Sequence, residues 1–381
     1  MKRFGLLPKL IIGIIVGLLI GIAKISFLTR ILLTFSGVFG NFLNYIVPLL
    51  IIAFVAPGIA ELGGKAGRLL GITTLIAYVS TIIAGILAFF VAITILPGFI
   101  SGGQAGQEAL AIAGYFEIEI PPLMGVMTAL VTAFLLGLGM ASLGEEGTML
   151  HFMQEFQKII EKTISYIIIP LLPLHIAGIF AEMAYTGGVI ETFAVFGRVF
   201  VLVIGLHIIY IILQFLLASS LTNRSPFKAI KNMLPAYFTA IGTQSSAATI
   251  PVTVESTKKN QVSHEVAEFV IPLCATIHLA GSTITLTVCS IAVMAISGTV
   301  PNFITIFPFI LMLGVTMIAA PGVPGGAVVA ALGLLETMLG FSDGQLALMM
   351  ALYIAQDSFG TATNVTGDGA IAMIVDKLAR N

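Results

Sequence analysis

Residues 346–379 read LALMMALYIAQDSFGTATNVTGDGAIAMIVDKLA, an apolar run carrying two interior acids, Asp357 and Asp368. At about 100° per residue, Asp357, Thr361, Asn364 and Asp368 follow one another along a single face of a helix. An ionised carboxylate at the centre of a bilayer costs about 2.5–3.5 kcal/mol on insertion scales, so two on one stripe must face a protein interior, a cavity or a cation. Working outward from this stripe, the chain is 58% hydrophobic and 9% charged, with a mean hydropathy of +1.10. A soluble domain carries about 25% charged residues, so this is an all-α polytopic membrane protein. A net charge of −1 leaves no basic surface for nucleic acid. Cys274 and Cys289 lie in one apolar segment and read as small buried hydrophobes, not a disulfide framework. The first 25 residues have a charged start and an apolar core but no small-residue cleavage site, and are expected to be the first helix.

Apolar runs place spans near 8–28, 32–60, 68–96, 121–143, 156–182, 193–219, 263–295 and 343–378. Two further stretches have apolar arms around a centre rich in helix breakers: 225–257, with TAIGTQSSAATIPVT, and 303–337, with TMIAAPGVPGGAVVAA. Backbone of that kind cannot face lipid, so both are expected to be re-entrant hairpins buried in protein or lining a cavity. If each returns to the side it entered from, 14 of the 17 basic residues fall on one face, leaving Lys24, Arg30 and Arg198. By the positive-inside rule that face is cytoplasmic and holds both termini, in a plasma (inner) membrane location. The 97–120 connection, with Glu108, Glu117 and Glu119 and no Lys or Arg, reads as an outside loop. Each hairpin is followed by a full span, giving two units of opposite orientation. Inverted repeats of this kind occur in transporters that bind cargo near the midplane.

These motifs resemble the dicarboxylate/amino acid:cation symporter family, the glutamate transporter homologues. The resemblance is carried by Ser245-Ser246 with Pro251, by Gly322-Val323-Pro324-Gly325 and by Asn364-Val365-Thr366-Gly367-Asp368. It implies an elevator fold of eight transmembrane helices and two hairpins in a homotrimer. Residues 1–66 (helices 1 and 2) and 121–185 (helices 4 and 5) would form a scaffold. Residues 67–120 (helix 3 and the outside loop) and 186–381 would form the moving domain. It further implies a substrate site of Ser245, Ser246, Val323, Gly325, Asp357, Gly360, Thr361 and Asn364, with Asp357 on the substrate ammonium and Asn364 with the hairpin tips on its carboxylate. Sodium would be held by Asn364, Asp368 and the backbone carbonyls of Cys274 and His278, and a second sodium by Thr276, Met317 and Ala320.

Two departures refine the expectation. Relatives with acidic cargo carry an arginine where this chain has Gly360 or Gln244. Its absence, with wording such as Gln356-Asp357-Ser358 and Ala280-Gly281 that resembles serine/threonine symporters, points to a small neutral amino acid of serine, threonine or alanine type. The family's Asn-Met-Asp-Gly-Thr reads His278-Leu279-Ala280-Gly281-Ser282 here, removing one sodium-site carboxylate, with Ser80 and Thr81 left to offer hydroxyls. Sodium-coupled symport, without enzymatic activity, is therefore expected. The competing readings are a proton-coupled amino acid or dicarboxylate symporter, a channel, and an intramembrane protease. The protease is disfavoured because two acids 11 residues apart on one helix stand about 16 Å apart. His278 is left open between a structural hydrogen bond and a substrate or proton contact.

Overall fold

The computed structural model describes residues 6–62, 67–96, 112–143, 147–186, 189–299, 301–318, 320 and 325–379. Every regular element among them is helical. Five segments are long and apolar enough to cross a membrane: Ser26–Ala60, Leu69–Ile95, Thr148–Thr186, Val195–Thr222 and His264–Ile296. The protein is thus an all-α polytopic membrane protein with several long apolar helices. The side chains of Leu75, Val131, Leu135 and Val201, each more than 60% exposed, cover its outer surface with hydrocarbon.

Helices α1 (Leu6–Ile22), α2 (Ser26–Leu62), α4 (Val126–Leu143), α5 (Thr148–Thr163) and α6 (Ile169–Thr186) pack mainly on one another, α1 on α6 and α2 on α4, α5 and α6. A single wide turn at Ile164–Ile168 joins α5 to α6. The α1–α6 contact depends on glycines spaced by four: a Cβ at Gly13, Gly17 or Gly21 would stand 2.3 Å from the carbonyl oxygens of Pro173, Ala177 and Ala181 respectively. Small residues at this spacing let two backbones approach closely where lipid provides no hydrophobic drive for helix association.

The remaining elements gather around α14 (Asp343–Ala379). They are α3 (Gly67–Ile95), α7 (Val189–Thr222), α8 (Pro226–Thr243), α9 (Ser246–Lys259), α10 (His264–Ile277), α11 (Ala280–Ile296), α12 (Phe303–Ile318) and α13 (Gly326–Leu339). α8 with α9, and α12 with α13, form two packed pairs, and both touch α14. α8 ends at Gln244, whose left-handed backbone (φ 53°) turns the chain, and α9 starts at Ser245, which caps it by accepting the Ala248 N–H. In the second pair α13 starts after Gly325, also left-handed at φ 75°. The span expected to be continuous over 263–295 is broken: α10 ends at Ile277, His278 is extended, and α11 begins at Ala280. α14, by contrast, runs 37 residues without interruption and is buried along most of its length.

Candidate functional site

The four polar residues of the α14 stripe are all buried: Asp357 is 5% exposed, Thr361 6%, Asn364 2% and Asp368 1%. Three of them have partners in the breaks of neighbouring elements. Asp357 Oδ2 accepts the Gly325 N–H at 2.7 Å, so the carboxylate seats the tip of the second hairpin at the N-terminus of α13. Asn364 Oδ1 accepts the N–H groups of Gly281 (2.7 Å) and Ser282 (3.3 Å), two orphan donors that the start of α11 exposes. Its Nδ2 donates to Ser282 Oγ, which also receives the Tyr353 hydroxyl.

Asp368 meets the break itself. His278 Nδ1 lies 2.8 Å from Asp368 Oδ1, and His278 Nε2 lies 3.0 Å from Ser80 Oγ on α3. Gln214 Nε2 donates to the same Ser80 Oγ at 3.0 Å, and the Tyr210 hydroxyl donates to the Ser80 carbonyl. One turn further along α11, His207 Nε2 stands 3.0 Å from the Gly281 carbonyl and 3.1 Å from Thr285 Oγ1. His207, Tyr210 and Gln214 share a face of α7 by the same periodicity that aligns the α14 stripe. That polar stripe is readable in the sequence from the spacing of His207, Tyr210 and Gln214.

The other expected site residues fall as follows. Ser245 and Ser246 stand at the start of α9, and Gln244 beside them donates from Nε2 to Ser358 Oγ at 2.8 Å, tying the first hairpin tip to α14. Val323 lies outside the described residues. The Cys274 carbonyl accepts the His278 N–H at 2.9 Å, which closes the last turn of α10. Thr276 Oγ1 donates back to the Leu273 carbonyl, and the Met317 carbonyl accepts the Ala320 N–H at 3.4 Å. α10 and α12, which carry Thr276 and Met317, pack against each other. Asp368 Oδ2 has no hydrogen-bond partner, although it is buried. An orphaned anionic oxygen in this setting suits a hard cation such as sodium.

Gly360 packs against α11. A Cβ there would meet the Gly281 and Ser282 backbone and Thr285 Oγ1, each at 3.7 Å. The crossing is closer from the other side, where a Cβ on Gly281 would stand 2.4 Å from the Gly360 carbonyl oxygen. Position 360 therefore points at the α11 backbone, and its lack of an arginine is a poor gauge of cargo charge.

The chain is similar to excitatory amino acid transporter 1 of Ambystoma tigrinum, 29% identical over 290 residues, covering 72% of this chain and 52% of that one. An excitatory amino acid transporter of Caenorhabditis elegans is 28% identical over 265 residues, covering 68% of this chain and 52% of its own length. Excitatory amino acid transporter 1 of Homo sapiens is 30% identical over 201 residues, covering 52% and 36%. The chain spans about half the length of the first two of these relatives. They overturn the expectation of a neutral, serine/threonine/alanine-type cargo, since these relatives are excitatory amino acid transporters and not serine/threonine symporters. The match to the family description runs from residue 6 to residue 378, through the stripe, both hairpins and the α10–α11 break, and the chain belongs to the sodium:dicarboxylate symporter family.

Proposed function

We propose that this protein is a secondary active transporter that carries an acidic amino acid, a dicarboxylate bearing an ammonium group, together with sodium. The observation that carries the amino-acid part of the assignment is the Asp357 carboxylate, buried and bonded to the Gly325 N–H at the tip of the second hairpin. A buried carboxylate needs a cationic partner, which the cargo's ammonium supplies. The cargo's two carboxylates have two natural seats, the N-termini of α9 and α13 beside the hairpin turns, where the helix dipole favours anions. The family description and the names of the similar transporters support the same class.

In this reading the chain crosses the membrane with eight helices and two re-entrant hairpins, both termini in the cytoplasm, in the plasma membrane. It assembles as a homotrimer. α1, α2 and α4–α6, which pack mainly on one another, form the scaffold, and α3 with α7–α14 moves as the carrying unit. Sodium binds at Asp368 and, second, near Thr276, Met317 and Ala320.

The test is uptake of radiolabelled L-aspartate into proteoliposomes in sodium or in choline, with L-glutamate, succinate and serine as competitors. L-glutamate is expected to compete best, and succinate, which lacks the ammonium, weakly. Asp357→Ala is expected to abolish uptake while leaving the protein foldable. Sodium-driven uptake that ignores both acidic amino acids would overturn the assignment.

A further inference from the structure

Asp368 is the carboxylate of the stripe that has one oxygen held and the other buried without a partner. Oδ1 receives the His278 Nδ1 at 2.8 Å, and Oδ2 has no partner. A carboxylate only accepts, so Nδ1 must carry the proton in this contact. The far side of the ring is held as well. Ser80 Oγ lies 3.0 Å from Nε2, and Ser80 Oγ is itself the acceptor for Gln214 Nε2. Ser80 Oγ also lies 2.9 Å from the Tyr210 hydroxyl, which donates to the Ser80 carbonyl, and Gln214 Nε2 lies 3.4 Å from His278 Nε2. Nδ1 is thereby committed to Asp368 and Nε2 to Ser80, while Gln214 Oε1 beside the ring is left without a partner. Three helices, α3, α7 and α14, thus converge to hold a ring that sits in the break between α10 and α11.

We infer that His278 withholds Asp368 Oδ1 from the coupling cation, so that the cation is held through Oδ2 alone and His278 sets its affinity. The inference rests on the sodium-coupled reading above. A sodium ion next to Asp368 gains one carboxylate oxygen instead of two, and the imidazole N–H draws electron density from the group that remains. His278 does not touch the cargo; it acts through Asp368 as a positioning residue. The bulk of the ring is also fitted closely, since a Cβ on Gly367 would meet His278 Cε1 at 2.8 Å and Gln214 Oε1 at 2.6 Å. Only glycine at 367 leaves the ring its place against α14.

Three variants separate this from a structural role. An asparagine amide falls near Nδ1 and keeps a donor on Oδ1, a glutamine amide falls near Nε2 and keeps only the Ser80 contact, and alanine keeps neither. Purified, cargo-free protein is titrated with sodium against choline at constant ionic strength, reading the melting temperature, and the same variants are assayed for L-aspartate uptake. The half-saturating sodium concentration is expected to fall about tenfold in His278→Ala and His278→Gln and to stay within about twofold of wild type in His278→Asn, a change of the size that outer-sphere groups produce. The KM for L-aspartate at saturating sodium is expected to stay unchanged in all three. If His278→Ala does not fold, His278→Gln carries the test. A wild type that responds to sodium, with half-saturation unchanged or raised in the glutamine and alanine variants, overturns the inference alone. A wild type whose melting and uptake are the same in choline as in sodium removes it together with the sodium-coupled reading.

Discussion

Two long segments cross in the middle of this protein and solve the problem of buried polarity in opposite ways. α10–α11 breaks at His278 and Leu279, and the break releases backbone groups: the Gly281 and Ser282 N–H at the start of α11 and the extended backbone at His278. α14 stays unbroken for 37 residues and supplies side chains instead: Asp357, Asn364 and Asp368. Each covers what the other exposes. Asn364 of the continuous helix caps the broken one, and His278 of the broken helix holds an acid of the continuous one. A broken helix in a membrane is tolerated only when its freed groups are satisfied inside the protein, and the acids on α14 are tolerated for the same reason.

The comparison is broken most directly by Gly281→Ala. The new Cβ would lie 2.4 Å from the Gly360 carbonyl oxygen and 2.7 Å from Thr363 Cβ, and backbone cannot give way as a side-chain tip can. A loss of about 3 kcal/mol is expected, read as the largest fall in melting temperature of this set. Wild-type melting in that variant would mean that α11 and α14 do not cross this closely.

Asn364→Leu keeps the number and branching of the side chain's heavy atoms but leaves the Gly281 and Ser282 N–H groups buried without acceptors. The cost is about 2 kcal/mol, because an unsatisfied buried donor pays its full desolvation. Ser282→Ala removes the acceptor for both the Tyr353 hydroxyl and Asn364 Nδ2 while leaving the Asn364 cap of α11 in place, and about 1 kcal/mol is expected. If chemical denaturation ranked Ser282→Ala above Asn364→Leu, the cap would not be the main tie between the two helices.

The smallest effect sharpens the contrast from outside. Lys258 on α9 bridges Glu268 on α10 at 2.8 Å and Glu255 at 3.3 Å, with both acids exposed. The hydrogen bond to Glu268 is the main reason its ammonium stays charged to higher pH than usual. Ion pairs open to water contribute little, so Lys258→Ala is expected to leave the melting temperature unchanged within error. A clear fall would mean that the α10 end, and not the break, anchors this part of the fold.

Much of the helical layout was legible in advance. The expected spans agree with α1–α4, α7 and α14 to within a few residues at most ends, because long apolar runs and helix breakers act locally. Both hairpins were readable for the same reason: Gly, Ser and Pro clusters interrupt apolar arms at 242–246 and 321–326. The break at His278 was not legible. Histidine and leucine do not interrupt helices by themselves, and Pro272 lies six residues earlier, inside α10. The polar face of α7 was visible but carries no net charge, so it raised no alarm comparable to two acids. The cargo reading failed at Gly360 because a missing charge is informative only if the position faces the cargo, and this one faces α11.

Composition and periodicity were enough to establish a helical membrane protein, two interrupted hairpins and a stripe of four polar residues on one face of the last helix. Those features depend on neighbours within a turn or two. The partners of the stripe depend on packing across the chain: Gly325 lies 32 residues from Asp357, Gly281 lies 83 from Asn364, and His278 lies 90 from Asp368. Contacts of that range follow from how close one helix can approach another, as at Gly281 and Gly360, and no local pattern encodes them. The division of Asp368 into one oxygen held by His278 and one left over is a property of that packing alone.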